Sequence, residues 1–204
     1  MVIPGENRKS IVHYAPPDAD EIEELQELNL LLLIHLRAAA REGASGFGLA
    51  PSLARKLCDF PMSTLESIAE FPRALFVIDL DNISITGEHQ IPDPIESSRR
   101  SLALTVLYSA WNMSRRRDFQ ARLFLRLSAR TLRKLRTTAL SELPLIATSP
   151  SLIHCDFAGS ESIWRSLILQ EDFELTRALR LVALHPDVDL QKSTRILSLN
   201  TPTA

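Results

Sequence analysis

Nine of the chain's 23 lysines and arginines fall within 22 residues: Arg115, Arg116, Arg117, Arg122, Arg126, Arg130, Arg133, Lys134 and Arg136. Asp118 is the only acid in that window. Cations at this density do one kind of chemistry well. They neutralise phosphates, which supply most of the non-specific affinity for nucleic acid. The acids gather elsewhere, with Asp18, Asp20, Glu21, Glu23, Glu24 and Glu27 opening the first predicted helix. A helix starting near Ser128 turns Arg126, Arg130 and Arg133 to one side and Leu132 and Leu135 towards the core. A tight turn between Arg136 and Thr138 permits a helix-turn-helix, although no glycine marks it. The same stripe also reads as a solvated face, or as an intramolecular match for the acidic first helix.

Other chemistry finds little support. His13, His35, His89, His154 and His185 are scattered, and no two lie three or four residues apart. Cys58 and Cys155 are the only cysteines, too few for a structural zinc site alone. Asp79, Asp81 and Asp93 follow a predicted strand, where such residues usually turn the chain. There is no glycine-rich phosphate loop and no nucleophile elbow around Ser45. No catalytic, cofactor-binding or metal-ligating residue is therefore expected, and an enzyme is disfavoured. Cys58, Trp111 and Trp164 sit at helical apolar positions and are expected to pack.

The elements that must position the cations are predicted to be helices. Apolar residues make up 45%, charged residues 24% and aromatics 6% of the chain, with only six glycines. That balance favours helices over a sandwich or barrel. The net charge of −2 excludes a chain that is basic throughout. The longest apolar run, Leu30 to Ile34, is five residues, against roughly 20 needed to span a bilayer. The N-terminus lacks the pattern of a signal peptide, so a cytoplasmic protein with reduced thiols is expected.

Residues 1–18 show no period and are expected to be a loose tail. Ile22, Leu25, Leu28, Leu32 and Leu36 predict a helix to about Arg41, closed by glycines 43, 46 and 48. Pro51 starts a short helix to about Phe60. Ser63-Thr64-Leu65-Glu66 has capping-box spacing for another, and Leu75–Leu80 reads as a strand. The order then recurs. A helix is expected from about Ile95 to Arg117, with Leu104, Leu107 and Trp111 on its apolar side. Ser128 caps a helix to Arg136, and Thr137 or Thr138 caps the next, to Ile146. Leu152–Phe157 is a strand. Helices over Ser160–Leu169 and Asp172–His185 follow, and residues 187–204 form a second tail.

The recurrence is also visible residue by residue. At a shift of 75, Ala54-Arg55-Lys56-Leu57 falls on Ala129-Arg130-Thr131-Leu132, Leu32 on Leu107, Leu36 on Trp111 and Arg41 on Arg116. A slip of two places Leu75–Leu80 on Leu152–Phe157. Two copies are too few for a solenoid, so they imply a pseudo-twofold pair on one chain, residues 19–94 and 95–186.

The run LAPSLARKLCDFPMSTLESIAEFPRALFVI (Leu49–Ile78) resembles the FlhD family, the smaller subunit of the bacterial flagellar master activator. NLLLLIHL (Asn29–Leu36) is similar to its first helix. FAGSESIWRSLILQEDFELTRALRLVAL (Phe157–Leu184) is similar to its later helices. The resemblance covers about residues 20–185. It implies a mainly α fold of two FlhD-like helical repeats related by a pseudo-twofold, with short paired strands. It further implies a transcriptional regulator acting with an FlhC-like zinc-binding protein subunit, and meeting promoter DNA within that complex. FlhD-like proteins serve flagellar and conjugative-transfer promoters. A non-DNA-binding adaptor or antagonist built on the same fold is the alternative. A usual FlhD has one copy and about half this length. The family's bridging cysteine near the strand has Phe76 near its place in the first copy and Cys155 in the second.

Overall fold

The computed structural model describes residues 19–44, 47–83, 94–155, 164 and 166–168. The expected tails, and the helix expected over Asp172–His185, lie outside the described residues. The fold is mainly helical with a short two-stranded antiparallel sheet.

Helix α1 spans Ala19–Arg41. Its first turn carries Asp20 and Glu21 and its last turn Arg41, matching the two ends of the helix dipole. It buries Leu25, Leu28, Asn29, Leu32, Leu33, Leu36 and Ala39. The helix ends in a Schellman turn: Gly43 donates to the Ala40 carbonyl at 3.1 Å and Ala44 to that of Ala39 at 2.9 Å. Gly43 has φ +74°, which only glycine adopts without strain.

Helices α2 (Pro51–Cys58) and α3 (Met62–Ala69) pack on α1. Pro51 opens α2, as its fixed φ favours. The capping box expected at Ser63 does not form. The N-cap of α3 is Pro61, whose carbonyl accepts from Thr64 and Leu65, so Ser63 already lies within the first turn.

Strand β1 (Phe76–Ile78) follows, then α4 (Pro94–Arg116), α5 (Asp118–Leu125) and α6 (Ala129–Thr137). A 3-10 turn at Leu140–Glu142 leads into α7 (Leu143–Ile146) and strand β2 (Ile153–Cys155). Ser128 caps α6 as its type predicts, its Oγ accepting from the Thr131 amide at 3.0 Å. Thr138 does not cap the next turn, because its hydroxyl donates back to the Lys134 carbonyl at 2.8 Å. Glu142 takes that role instead, accepting from the Ala139 amide at 2.8 Å.

The two strands pair antiparallel, with Phe76 opposite Cys155, Val77 opposite His154 and Ile78 opposite Ile153. The ladder is extended by the Asp79 amide, which donates to the Leu152 carbonyl at 2.8 Å. Each strand region is also tied to the other part of the chain: Ala74 N–H donates to Phe124 O at 2.8 Å, and Cys155 N–H to Phe47 O at 2.7 Å. One core joins both parts, with Leu32, Leu33, Leu57, Leu65, Phe76, Leu107, Leu135 and Trp164 fully enclosed.

Candidate nucleic-acid interface

The basic window folds into the end of α4, all of α5 and all of α6. Asp118 starts α5 straight after Arg117, and Leu125 ends it. Arg126 then turns the chain in the left-handed region (φ 53°, ψ 32°), a conformation that costs a non-glycine residue strain. Three residues, Arg126 to Ser128, separate α5 from α6. A second tight link, Thr138 and Ala139, separates α6 from the 3-10 turn, next to the place where the sequence pattern expects one.

Arg126 consequently stands outside the helix that carries Arg130 and Arg133. It is half-buried beside Arg73, whose side chain is 1% exposed. Burial, with the Arg126 charge second, brings the Arg73 guanidinium down to about 10. Along α6, Thr131, Leu132 and Leu135 face the core. Arg130 and Arg133 stand outward at adjacent turns of the exposed face.

Most of the nine cations have intramolecular work. Arg117 pairs with Glu21 at 3.0 Å, a direct link between the basic window and the acidic opening of α1. Arg130 meets Asp81 at 3.5 Å. Lys134 donates to the Leu80 carbonyl at 3.1 Å and pairs with Asp81. Arg136 donates to the Ser114 carbonyl at 2.7 Å and pairs with Asp118. Arg115 stacks over the Trp111 ring at 4.1 Å and donates to the Arg136 carbonyl at 3.0 Å. Arg133 is exposed and donates to the Ala129 carbonyl one turn back. Arg116 and Arg122 are exposed, and neither bonds another group among the described residues.

Lys134 and Arg130 thus hold α6 against the exit of β1, and Arg136 holds it against α4. Asp81 and Asp118 are the counter-charges that organise the window. The part played by Asp81 is invisible in the spacing, because it lies about 50 residues upstream of its partners. Asp79, close by, closes the turn after β1. It accepts from the Asp81 and Asn82 amides and the Asn82 side chain. The Asn82 side-chain bond is the main reason its carboxyl lies below the usual 3.8.

A second polar centre has no counterpart in the sequence expectations. Asn29 is completely buried, and its amide nitrogen donates to the carbonyls of Ala69, Phe71 and Arg73. Its Oδ1 accepts from the Leu75 amide at 2.9 Å. One side chain thereby fixes the whole connection from α3 to β1. The apolar side of α4 also differs from expectation. Leu102, Ala103, Val106, Leu107, Ala110 and Met113 face the core, while Leu104 is 37% exposed and Tyr108 54%. Trp111 is half-buried, with Nε1 donating to the Thr138 carbonyl at 2.9 Å, and Trp164 is wholly buried.

Cys155 is a free thiol, 1% exposed, and burial pushes it up to about 12. It faces Phe76 across the ladder, so this strand pair offers it no partner sulfur. Among the described residues there is no group of three His, Cys, Asp or Glu side chains placed to hold a metal. No helix among them is long and apolar enough to cross a membrane. No protein-family model, curated protein or solved structure matches this chain.

Proposed function

We propose that the chain is a transcriptional regulator subunit, an FlhD-like pair of repeats on one polypeptide. In this reading it acts with an FlhC-like zinc-binding partner on flagellar or conjugative-transfer promoters. The observation that carries it is the strand register. Val77 and His154 are equivalent under the proposed repeat and lie directly opposite each other, as equivalent residues do where two identical strands meet on a twofold. Helices of 23 residues open both parts, which is what two copies of one unit would supply. The reading assigns no catalytic step.

Contact with DNA falls to the exposed cations of the window that engage no other side chain among the described residues: Arg116, Arg122 and Arg133. Arg130 adds to them, because an exposed ion pair of 3.5 Å contributes little and yields readily to a phosphate. The test is binding of the partner complex to promoter DNA over a range of salt. Replacing Arg116, Arg122 and Arg133 together by Ala should flatten the salt slope by about 0.9 for each phosphate no longer neutralised. Far-UV circular dichroism should stay unchanged.

The engagement of Arg117, Lys134 and Arg136 within the fold favours a second reading, an adaptor that binds a regulator without touching DNA. That reading predicts an unaltered salt slope in the triple variant with the complex intact, and such a result would remove DNA contact from the function.

A further inference from the structure

Three cations of α6 stand close together, yet the fold treats them unequally. Arg133 is exposed and bonds the Ala129 carbonyl of its own helix. Arg130, one turn earlier, and Lys134, the next residue, both reach across to Asp81. They converge on one atom. Asp81 Oδ1 lies 3.5 Å from Arg130 Nε and also accepts from Lys134 Nζ. An anionic oxygen between an ammonium and a guanidinium is the arrangement in which side chains hold a phosphodiester.

Asp81 is not drawn there by the cations. The turn after β1 fixes its backbone. Its amide donates to Asp79 Oδ1 at 2.9 Å, and the Asn82 amide and side chain bond the same carboxylate. Asp79 is anchored through its own amide to the Leu152 carbonyl, and the Asn82 carbonyl accepts from the Ser151 hydroxyl at 2.7 Å. These bonds use the Asp81 amide and leave its carboxylate to the cations. The sheet therefore presents a fixed negative charge beneath α6. The three partners also stay wet, with Arg130, Lys134 and Asp81 side chains 69%, 40% and 43% exposed. Exposed pairs contribute little to stability, so the carboxylate can be exchanged for another anion without loss of the fold.

We propose that Asp81 is a built-in competitor for the DNA backbone: its carboxylate occupies a phosphate-binding position formed by Arg130 and Lys134. The inference rests on the reading that this face meets DNA, and it adds a limit on that contact. While Asp81 holds the position, Arg133 is the cation that this part of α6 offers. A phosphate at Arg130 and Lys134 must displace the carboxylate and then lie close to a like charge. Loose, unspecific contact is thereby held down, and a complex that fixes the duplex over α6 can still displace Asp81. Displacement also frees α6 from the exit of β1, so DNA contact and the anchoring of this helix compete.

The test is neutralisation of Asp81 in the full chain. Asp81→Asn keeps the side-chain size and the amide that closes the turn, so circular dichroism should match that of the native chain. Binding to a labelled DNA duplex of arbitrary sequence is followed by fluorescence anisotropy between about 50 and 200 mM salt. Asp81→Asn should bind about five- to tenfold tighter at the lowest salt. Its salt slope should steepen by about 0.9 for each of the two cations that gains a phosphate. Adding Arg130→Ala and Lys134→Ala to Asp81→Asn should abolish the gain. Glu66→Gln, which removes the same charge from the exposed side of α3, should leave affinity and slope unchanged.

An Asp81→Asn chain that binds no tighter than the native one, with the same slope, would overturn the proposal. So would a gain that survives the loss of Arg130 and Lys134, or one that Glu66→Gln equals, since both would be effects of net charge. The wider reading fails by a different route. A flattened slope in the Arg116, Arg122 and Arg133 variant, beside an unmoved Asp81→Asn, would leave DNA contact standing and remove the competitor alone. An unaltered slope in that variant, beside a gain in Asp81→Asn that needs Arg130 and Lys134, would keep the competitor and take those three cations out of the contact.

Discussion

Helices α1 and α4 have the same length, yet they are used differently. α1 buries one broad face that includes Asn29, Leu33 and Leu36. The matching face of α4 carries Leu104 and Tyr108 in solvent, and α4 turns Leu102, Val106, Ala110 and Met113 inward instead. Leu32 with Leu107, Leu28 with Ala103 and Ala39 with Ser114 are the shared part of the two patterns, all buried. The connections differ as well. A Schellman turn and an irregular segment separate α1 from α2, whereas α5 fills the space between α4 and α6. Along the matched stripe α1 is closed, while α4 keeps apolar surface in solvent.

The sharpest way to break that contrast is a swap at one matched position. Asn29→Leu should be the most damaging single change. It deprives up to four buried backbone groups of their partner, each worth about 1–3 kcal/mol, so the chain should lose most of its stability in urea. Leu104→Asn, the reverse change on α4, should move stability by less than about 0.5 kcal/mol. If both variants unfold at similar urea concentrations, the two faces are not used differently.

Next in size is the shared core. Leu107→Ala should cost about 2–5 kcal/mol, because the site is sealed and the cavity only partly collapses. Tyr108→Ala, its neighbour in sequence, should cost well under that. The urea midpoints of the pair sharpen the assignment of inward and outward faces.

A smaller effect separates organised from available cations. Arg136→Ala removes bonds to Ser114 and Asp118 at a side chain 39% exposed, and should cost about 1 kcal/mol. Arg122→Ala should leave the melting curve unchanged. The smallest effect belongs to the turn after β1. Asp79 titrates below its unfolded value, so it stabilises the fold fully above about pH 4 and loses that contribution as pH falls through its folded value. Asp79→Asn should therefore show a slightly flatter loss of stability on acidification, with a difference at neutral pH under about 1 kcal/mol, as expected for so exposed a group.

Much of the helical order was legible because local chemistry decides it. Gly43 ends α1, Pro51 opens α2 and Ser128 caps α6 through bonds within a few residues. The strands were legible from their apolar runs, though β1 is shorter than expected, and the expected end of β2, Asp156 and Phe157, lies outside the described residues. What failed depends on distant groups. Thr138 and Ser63 have the residue types of caps, but Glu142 and Pro61 reach the free amides first. Leu104 and Trp111 have the spacing of a core stripe with Leu107, and nothing local records that Leu104 stays exposed and Trp111 half-buried. The basic window could be counted in sequence, but its pairing with Asp81 depends on β1 bringing that aspartate beneath α6. The proposed repeat has the same status, since matched residue types at a fixed shift do not fix how two copies are used.

The β1–β2 pair has a consequence for how the protein is made. A sheet with one strand from each part is completed by the later strand, and β2 leaves the ribosome about 75 residues after β1, or about 4–15 s at typical elongation rates. During that interval β1 has a full unpaired edge and an apolar Phe-Val-Ile sequence, which is the template that stray strands extend. The nascent chain is thus most vulnerable to aggregation in the middle of its own synthesis, and Asn29, by fixing the segment before β1 early, limits the shapes that edge can adopt while it waits.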